Sequence, residues 1–252
     1  MSSVKNDLFD YDGLKIYQYE DKFKFSLDSI LLAEFVDLKS TTNTIVDFCT
    51  GNAPVPLILS TKCSAKIYGF EIQKNIFKLA RMSVRDNGLE ERINIINANM
   101  KDAFEYLLPE SVDAVTCNPP YFKYDKNSSL INEDEEKAIA RHEITMKLDD
   151  IMIAARYILK NKAPLYIVHR CDRLEEIIDC LGKYSFKVKK LQFIYAGFNK
   201  DAIMVLIKAT KNGKSGSLKV SPPIDILKYK SYKGLFERGE SNENDSRIGQ
   251  SR

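Results

Sequence analysis

An α/β domain built on a mainly parallel seven-stranded sheet, with an antiparallel edge hairpin and helices on both faces, follows from three observations. Apolar runs of strand length recur at 44–49, 66–71, 93–97, 114–117 and 165–169. Segments of helical period stand between them, at 72–87, 148–159 and 173–184, and strands alternating with helices make βαβ units and a parallel sheet. Two further strand-like runs, 188–195 and 202–209, are joined by a short connection containing Gly197, which predicts a hairpin at one edge.

The elements follow in chain order. Ser26 is a plausible N-cap for a short amphipathic helix through SLDSILLAEFV, so residues 1–40 form an N-terminal lid segment. Residues 41–210 hold the alternating elements, with no internal repeat and no linker to divide them. Between the fourth and fifth strands, 122–141 is irregular and carries an acidic run at 133–136. That run reads as a solvated face or as a flap leaving the strand end where open α/β sheets bind ligands. Residues 211–238 form a basic edge segment of the same domain, in which Pro222 and Pro223 permit only short strands. The polar residues 239–252 are expected to be disordered.

Composition narrows the function classes. The chain has 252 residues, 44% hydrophobic and 29% charged, which is ordinary for a globular domain with a sizeable core. It holds no apolar run near the roughly 18 to 20 residues of a membrane span, so no membrane partner is expected. MSSVKNDLFDYDG has no signal pattern, which predicts a cytoplasmic protein. Cys49, Cys63, Cys117, Cys171 and Cys180 are scattered and accompanied by only two histidines, so neither a metal site nor a disulfide framework is expected. The formal net charge of +3 hides an asymmetry: 183–233 holds twelve lysines against Asp201 and Asp225. That local +10 suggests a polyanion partner or a solvated face.

The chemistry-bearing residues lie where the strands end. The first strand runs into Asp47, Cys49 and Gly51, a strand-to-helix turn of the kind that binds nucleotide-like ligands. The second ends at Glu71, followed by Ile72. An acid about 20 residues after a glycine turn suits both hydroxyls of a ribose. Asn99, followed by Met100, stands after the third strand, where an amide could meet the edge of an adenine or simply form a turn. After the fourth strand comes Asn118-Pro119-Pro120-Tyr121, then Phe122. Prolines end the strand and fix the backbone, Asn118 offers an amide oxygen, and Tyr121 an aromatic face. If the Asn118 oxygen and the Pro119 carbonyl accept the two hydrogens of an exocyclic amine, its lone pair turns out of the ring plane while Tyr121 stacks on the ring.

Asp47 to Gly51, Glu71, Asn99 and NPPY at 118–121 resemble the motifs of class I S-adenosylmethionine-dependent amino-methyltransferases, with their Rossmann-like fold. FKFSLDSILLAEF at 23–35, NPPYF, Ala140-Arg141-His142-Glu143, Ile167 to Arg170 and the Pro222-Pro223 segment narrow the resemblance to the bacterial tRNA1(Val) (adenine(37)-N6)-methyltransferase family, over 8–236. The resemblance implies a methyltransferase domain at 41–210, S-adenosyl-L-methionine as cofactor with S-adenosyl-L-homocysteine as product, no metal, and a tRNA partner. It leaves monomer or weak homodimer open. It implies a cofactor site of Phe25, Asp28, Asp47, Cys49, Gly51, Glu71, Ile72, Asn99, Met100 and Asn118. The catalytic residues would be Asn118, Pro119, Pro120 and Tyr121. Substrate contacts would come from Tyr121, Phe122, Arg141, Lys187, Lys189, Lys190, Lys228 and Lys230, with Lys211 and Lys214 adding to RNA affinity. Cys49 and Ala53 stand where the family carries glycine, and Asn99 where an Asp is common, which predicts weakened cofactor binding. Two other readings remain beside it: a protein glutamine N5-methyltransferase, since NPPY serves that chemistry too, and a non-catalytic RNA-binding protein with a decayed cofactor pocket.

Overall fold

The computed structural model describes residues 3–8, 11, 13–19, 27–120 and 147–227. An antiparallel ribbon, β1 (Ser3–Asp7) and β2 (Lys15–Tyr19), precedes α1 (Leu27–Phe35). Then come β3 (Thr44–Phe48), α2 (Pro54–Lys62), β4 (Lys66–Phe70), α3 (Lys74–Asp86) and β5 (Ile93–Ile96). A 3-10 turn (Met100–Asp102) and α4 (Ala103–Tyr106) lead to β6 (Ala114–Cys117). After α5 (Leu148–Ile158) follow β7 (Pro164–Arg170), α6 (Leu174–Lys183), β8 (Phe186–Tyr195), β9 (Met204–Lys211), β10 (Lys219–Val220) and β11 (Ile224–Asp225).

The main sheet has the order β10-β8-β9-β7-β6-β3-β4-β5, with β11 also on β8. Strands β7, β6, β3, β4 and β5 are parallel, and β9 lies antiparallel between β7 and β8. The seven expected strands are present. Lys219–Val220 and Ile224–Asp225 extend the sheet to nine by pairing two residues each with β8 on either side of Pro222 and Pro223, as far as the prolines allow.

Both faces of the sheet are covered, which is why β7 reads as a continuous apolar run. Tyr166 and Val168 join the cluster under α1, α2 and the ribbon, while Leu165 and Ile167 join the one under α5 and α6. The ribbon was not expected. Its second strand docks on α3 through side chains: Tyr17 N–H donates to Ser83 Oγ at 2.9 Å, and Lys15 exchanges two hydrogen bonds with the Asn87 amide. α2 begins at Pro54, whose fixed φ suits a first helical turn.

The chain runs outward from β3 to β4 and β5, then returns to β6 on the other side of β3. This reversal parts the loops at the carboxyl ends of β3 and β6, the place where open α/β sheets bind ligands.

Candidate active site

The turn after β3 is tight and unusual. Cys49, Gly51 and Ala53 take φ values of 57°, 58° and 74°, so three of its five residues are left-handed. Only Gly51 adopts that conformation without steric cost; the other two carry about 1 to 2 kcal/mol each. The turn presses on β4: Thr50 N–H donates to the Phe70 carbonyl at 3.0 Å, and a Cβ at Gly69 would stand 2.8 Å from Thr50 Oγ1. Glycine at 69 is therefore required by close approach. The Cys49 thiol hydrogen-bonds that of Cys117 at the end of β6, and burial pushes the Cys117 thiol well up.

Glu71 is 5% exposed, and its carboxylate accepts the Gly51 N–H at 3.0 Å and the Gln73 N–H at 2.8 Å. Burial raises its pKa, while the backbone donors of Gln73, Gly51 and Ile72 oppose the rise. The Glu71 side chain thus ties the glycine turn to the end of β4. Ile72 beside it is 47% exposed, an apolar surface on the same edge. Asn97, which sequence reasoning missed, locks this loop by donating to the Glu71 carbonyl at 2.8 Å. Asn99 caps the 3-10 turn, its Oδ1 accepting the Lys101 N–H at 3.1 Å, which leaves a second lone pair on that oxygen as well as Nδ2 to meet a ligand. Met100 is buried in the core under α5.

Asp47 is 1% exposed at the base of the turn and accepts the Thr116 hydroxyl at 2.6 Å. Burial pushes its pKa up to about 7 despite that bond, and the Glu71 carboxylate adds to the rise. Asn52 is fully buried in the same turn; its Nδ2 donates to the Tyr17 carbonyl at 2.8 Å, while its Oδ1 has no partner among the described residues.

Asn118, Pro119 and Pro120 leave β6 on the other side of the switch point, with Asn118 half-buried, Pro119 buried and Pro120 exposed. The Asn118 Nδ2 donates to Ser29 Oγ at 2.9 Å. Ser29, 7% exposed on α1, thereby ties the amide to that helix. Asp28 lies half-buried in the first turn of the same helix. α1 is itself anchored to α2, where Lys62 pairs with Glu34 at 3.0 Å and donates to the Ala33 carbonyl. Ser29 carries no sequence signal as a site residue, since 89 positions separate it from its partner.

A family model described as the methyltransferase small domain matches residues 24–172. The chain belongs to this family. Its relatives include the tRNA1(Val) (adenine(37)-N6)-methyltransferase of Cytophaga hutchinsonii, 22% identical over 192 residues, covering 76% of this chain and 79% of the relative. The Porphyromonas gingivalis protein of the same description is 27% identical over 180 residues, covering 69% of each. Among solved structures, a predicted O-methyltransferase of Agrobacterium tumefaciens aligns with a TM-score of 0.62 at 21% identity, over 79% of this chain and 87% of that one. A geranyl diphosphate C-methyltransferase of Streptomyces coelicolor, solved with S-adenosyl-L-homocysteine, aligns at 0.55 and 10% identity over 73% and 78%. The fold is thus the Rossmann-like class I methyltransferase fold.

Within this methyltransferase fold the remaining expected residues are dispersed. Phe25, Tyr121, Phe122, Arg141, Lys228 and Lys230 lie outside the described residues, as do the Ser26 cap, the 122–141 segment and the 239–252 tail. Lys187 pairs across β9 with the start of β7, at the amino end of the parallel strands, whereas Asn118 follows their carboxyl end. Lys189 donates to the carbonyls of Lys214 and Gly216, and Lys190 stacks 4.7 Å over the Phe35 ring. Lys211 is 4% exposed and held by Glu110 and the Leu159 carbonyl, so it faces the interior rather than a partner. Lys214 is exposed. His169 is 1% exposed at the end of β7, accepts the Arg170 N–H at 2.9 Å, and is held by burial at a pKa of about 4, a neutral structural histidine. No helix among the described residues is long and apolar enough to cross a membrane.

Proposed function

We propose that this chain transfers the methyl group of S-adenosylmethionine to N6 of an adenine in tRNA, releasing S-adenosylhomocysteine, with adenine 37 of tRNA1(Val) as the target. The observation that carries the reading is the pairing of two half-sites across the switch point. The Glu71-laced glycine turn lies on one side, and Asn118-Pro119, with its amide set by Ser29, on the other. The curated relatives, described as adenine-N6 methyltransferases of tRNA, support the same substrate.

The residues present fit the cofactor. A carboxylate offers about four lone-pair positions, so Glu71 keeps room for a ribose hydroxyl beside its bonds to Gly51, Gln73 and Ile72. Ile72 offers an apolar surface to the adenine, and the buried Asn52 oxygen is an acceptor awaiting a donor. Leaving such an atom unpaired costs about 1 to 3 kcal/mol. When bound, the cofactor supplies an electrophilic methyl on a sulfonium.

The chain's own residues then do three things. The Asn118 Oδ1 and the Pro119 carbonyl accept the two N6 hydrogens, which turns the nitrogen lone pair out of the ring plane. Ser29 holds the amide in place by accepting from its Nδ2. Tyr121 supplies the stacking face for the extruded base. No strong base is required, because the methylated amine sheds its proton readily to water; the acceleration comes from orientation and from acceptors matched to the developing positive charge.

The test is transfer of labelled methyl from S-adenosylmethionine to unmodified tRNA, followed by nucleoside digestion, with Asn118→Ala in parallel. N6-methyladenosine at one tRNA position, lost in Asn118→Ala while cofactor affinity persists, is the expected result. Methylation of a protein glutamine instead of RNA, or cofactor binding without transfer to any tRNA, overturns the assignment.

A further inference from the structure

The described surface has a basic face that compositional counting does not single out. Lys74, Lys78, Arg81 and Arg85 follow at i, i+4, i+7 and i+11 of α3, one face of the helix, and all four are exposed. They span about 16 Å along the axis. None forms an ion pair among the described residues, and Asp86, the acid closest in sequence, is occupied by Lys5 at 2.5 Å. Beside the last three a groove of about 770 Å³ opens between α3 and the edge strand β5, lined by Lys78, Arg81, Arg85 and Glu90 together with apolar residues such as Phe77 and Ile93. Glu90 is its single carboxylate. The Arg81 guanidinium sits 5.8 Å over the half-buried Phe77 ring.

The placement matters as much as the charge. α3 starts three residues after Glu71, at the carboxyl edge of the sheet, and β5 lies three strand spacings from β6, about 14 Å. A chain whose base enters at Asn118 thus meets Lys74 first and the other cations in turn. Lys187, on the β8 side, starts about 13 Å lower along the strands.

We propose that this face of α3 is a second RNA-binding surface, in which Lys74, Lys78, Arg81 and Arg85 hold the sugar-phosphate backbone outside the target nucleotide. Phosphates neutralise the cation row, and the flat Arg81–Phe77 pair gives a ribose or an unstacked base a surface to lie on. The inference rests on the RNA reading of the active site but concerns a different surface, so the two can fail separately.

The test is tRNA affinity against salt concentration for the full chain, comparing wild type with Lys78→Ala/Arg81→Ala/Arg85→Ala and with Lys187→Ala/Lys214→Ala. All five side chains are exposed, and alanine favours helix at the three α3 positions. The α3 variant should bind tRNA about tenfold or more weakly, with a slope of log affinity against log salt lower by about two to three. Its S-adenosylmethionine affinity, and its turnover at saturating tRNA, should match wild type. The Lys187/Lys214 variant, which removes contacts on the β8 side, should lose clearly less affinity than the α3 variant. Unchanged affinity and slope in the α3 variant, with wild type binding and methylating tRNA, overturns this inference and leaves the active-site reading standing. Equal losses in both variants also overturn it, since they would reflect a diffuse field. A wild type that binds cofactor but no tRNA fails the active-site reading itself.

Discussion

Asp47 makes a quantitative test of the architecture under the glycine turn. Its carboxyl is 1% exposed and has a folded pKa of about 7 against an ordinary 3.8, chiefly through burial. The folded state therefore holds this proton more tightly than the unfolded chain does. The associated stability is fully present below about pH 4 and is lost as pH rises through about 7. At about 1.4 kcal/mol per pH unit, the loss is about 1.6 kcal/mol by pH 5 and about 4 kcal/mol by pH 8. Asp47→Asn keeps an oxygen to accept the Thr116 hydroxyl and removes the titration. His169 works in the opposite sense: burial lowers its pKa to about 4, so its contribution grows as pH rises from 4 to 6.5. The wild-type profile alone thus mixes opposed slopes, with Glu71, also raised by burial, on the side of Asp47, whereas the difference between wild type and variant reports the removal of the Asp47 titration. Urea unfolding at pH 5, 6, 7 and 8 should show the variant gaining on wild type by about 2.7 kcal/mol across that range. A difference that stays constant with pH would refute the reasoning, because it would mean that Asp47 titrates as a solvated carboxyl.

Two further expectations concern single side chains. Ser29→Ala should release the Asn118 amide and lower kcat by about two- to tenfold, the worth of one hydrogen bond, with the tRNA KM and cofactor affinity unchanged and the melting temperature lower by about 2 to 4 °C; an unchanged kcat would remove Ser29 from the positioning of Asn118. Cys49→Gly should relieve about 1 to 2 kcal/mol of left-handed strain against about 0.5 to 1 kcal/mol of added backbone entropy, for a net gain near 0.5 to 1 kcal/mol in denaturant titration. A lower midpoint would show that the thiol contact with Cys117 outweighs the strain.

What was legible in the sequence was local. The continuous apolar run of β7, the hairpin of β8 and β9, the proline-broken edge strands and the 20-residue step from Gly51 to Glu71 all express neighbouring residues or one structural period. What was not legible depends on distant partners. The ribbon, a ladder of β1 and β2 in itself, is docked on the body by Ser83 and Asn87, 66 and 72 positions away, through side chains. Charge shows the same limit. The window 183–233 is rich in lysine, yet Lys211 is interior and Lys187 stands at the amino end of the strands. The four cations of α3 are mixed with other residue types along the chain, and only the helix gathers them.

The ribbon also bears on how the candidate site and the α3 face relate. Tyr17 uses both of its backbone groups: its N–H donates to Ser83 Oγ on α3, and its carbonyl accepts Nδ2 of the buried Asn52 in the glycine turn. One strand residue therefore joins the helix that carries the cation row to the loop that Glu71 laces. α3 is joined to that loop a second time, because Gln73, the residue before its first turn, donates to the same Glu71 carboxylate that receives Gly51. Two independent ties, one at the amino end of the helix and one in its last turn, restrain both its position and its rotation. A rotated α3 would have to break the Tyr17 bridge or leave the Glu71 carboxylate short of a donor at a buried site, which is costly in either case. The cation row is thus held in fixed register with the glycine turn, and an RNA seated on α3 would meet the Asn118 edge at a set distance.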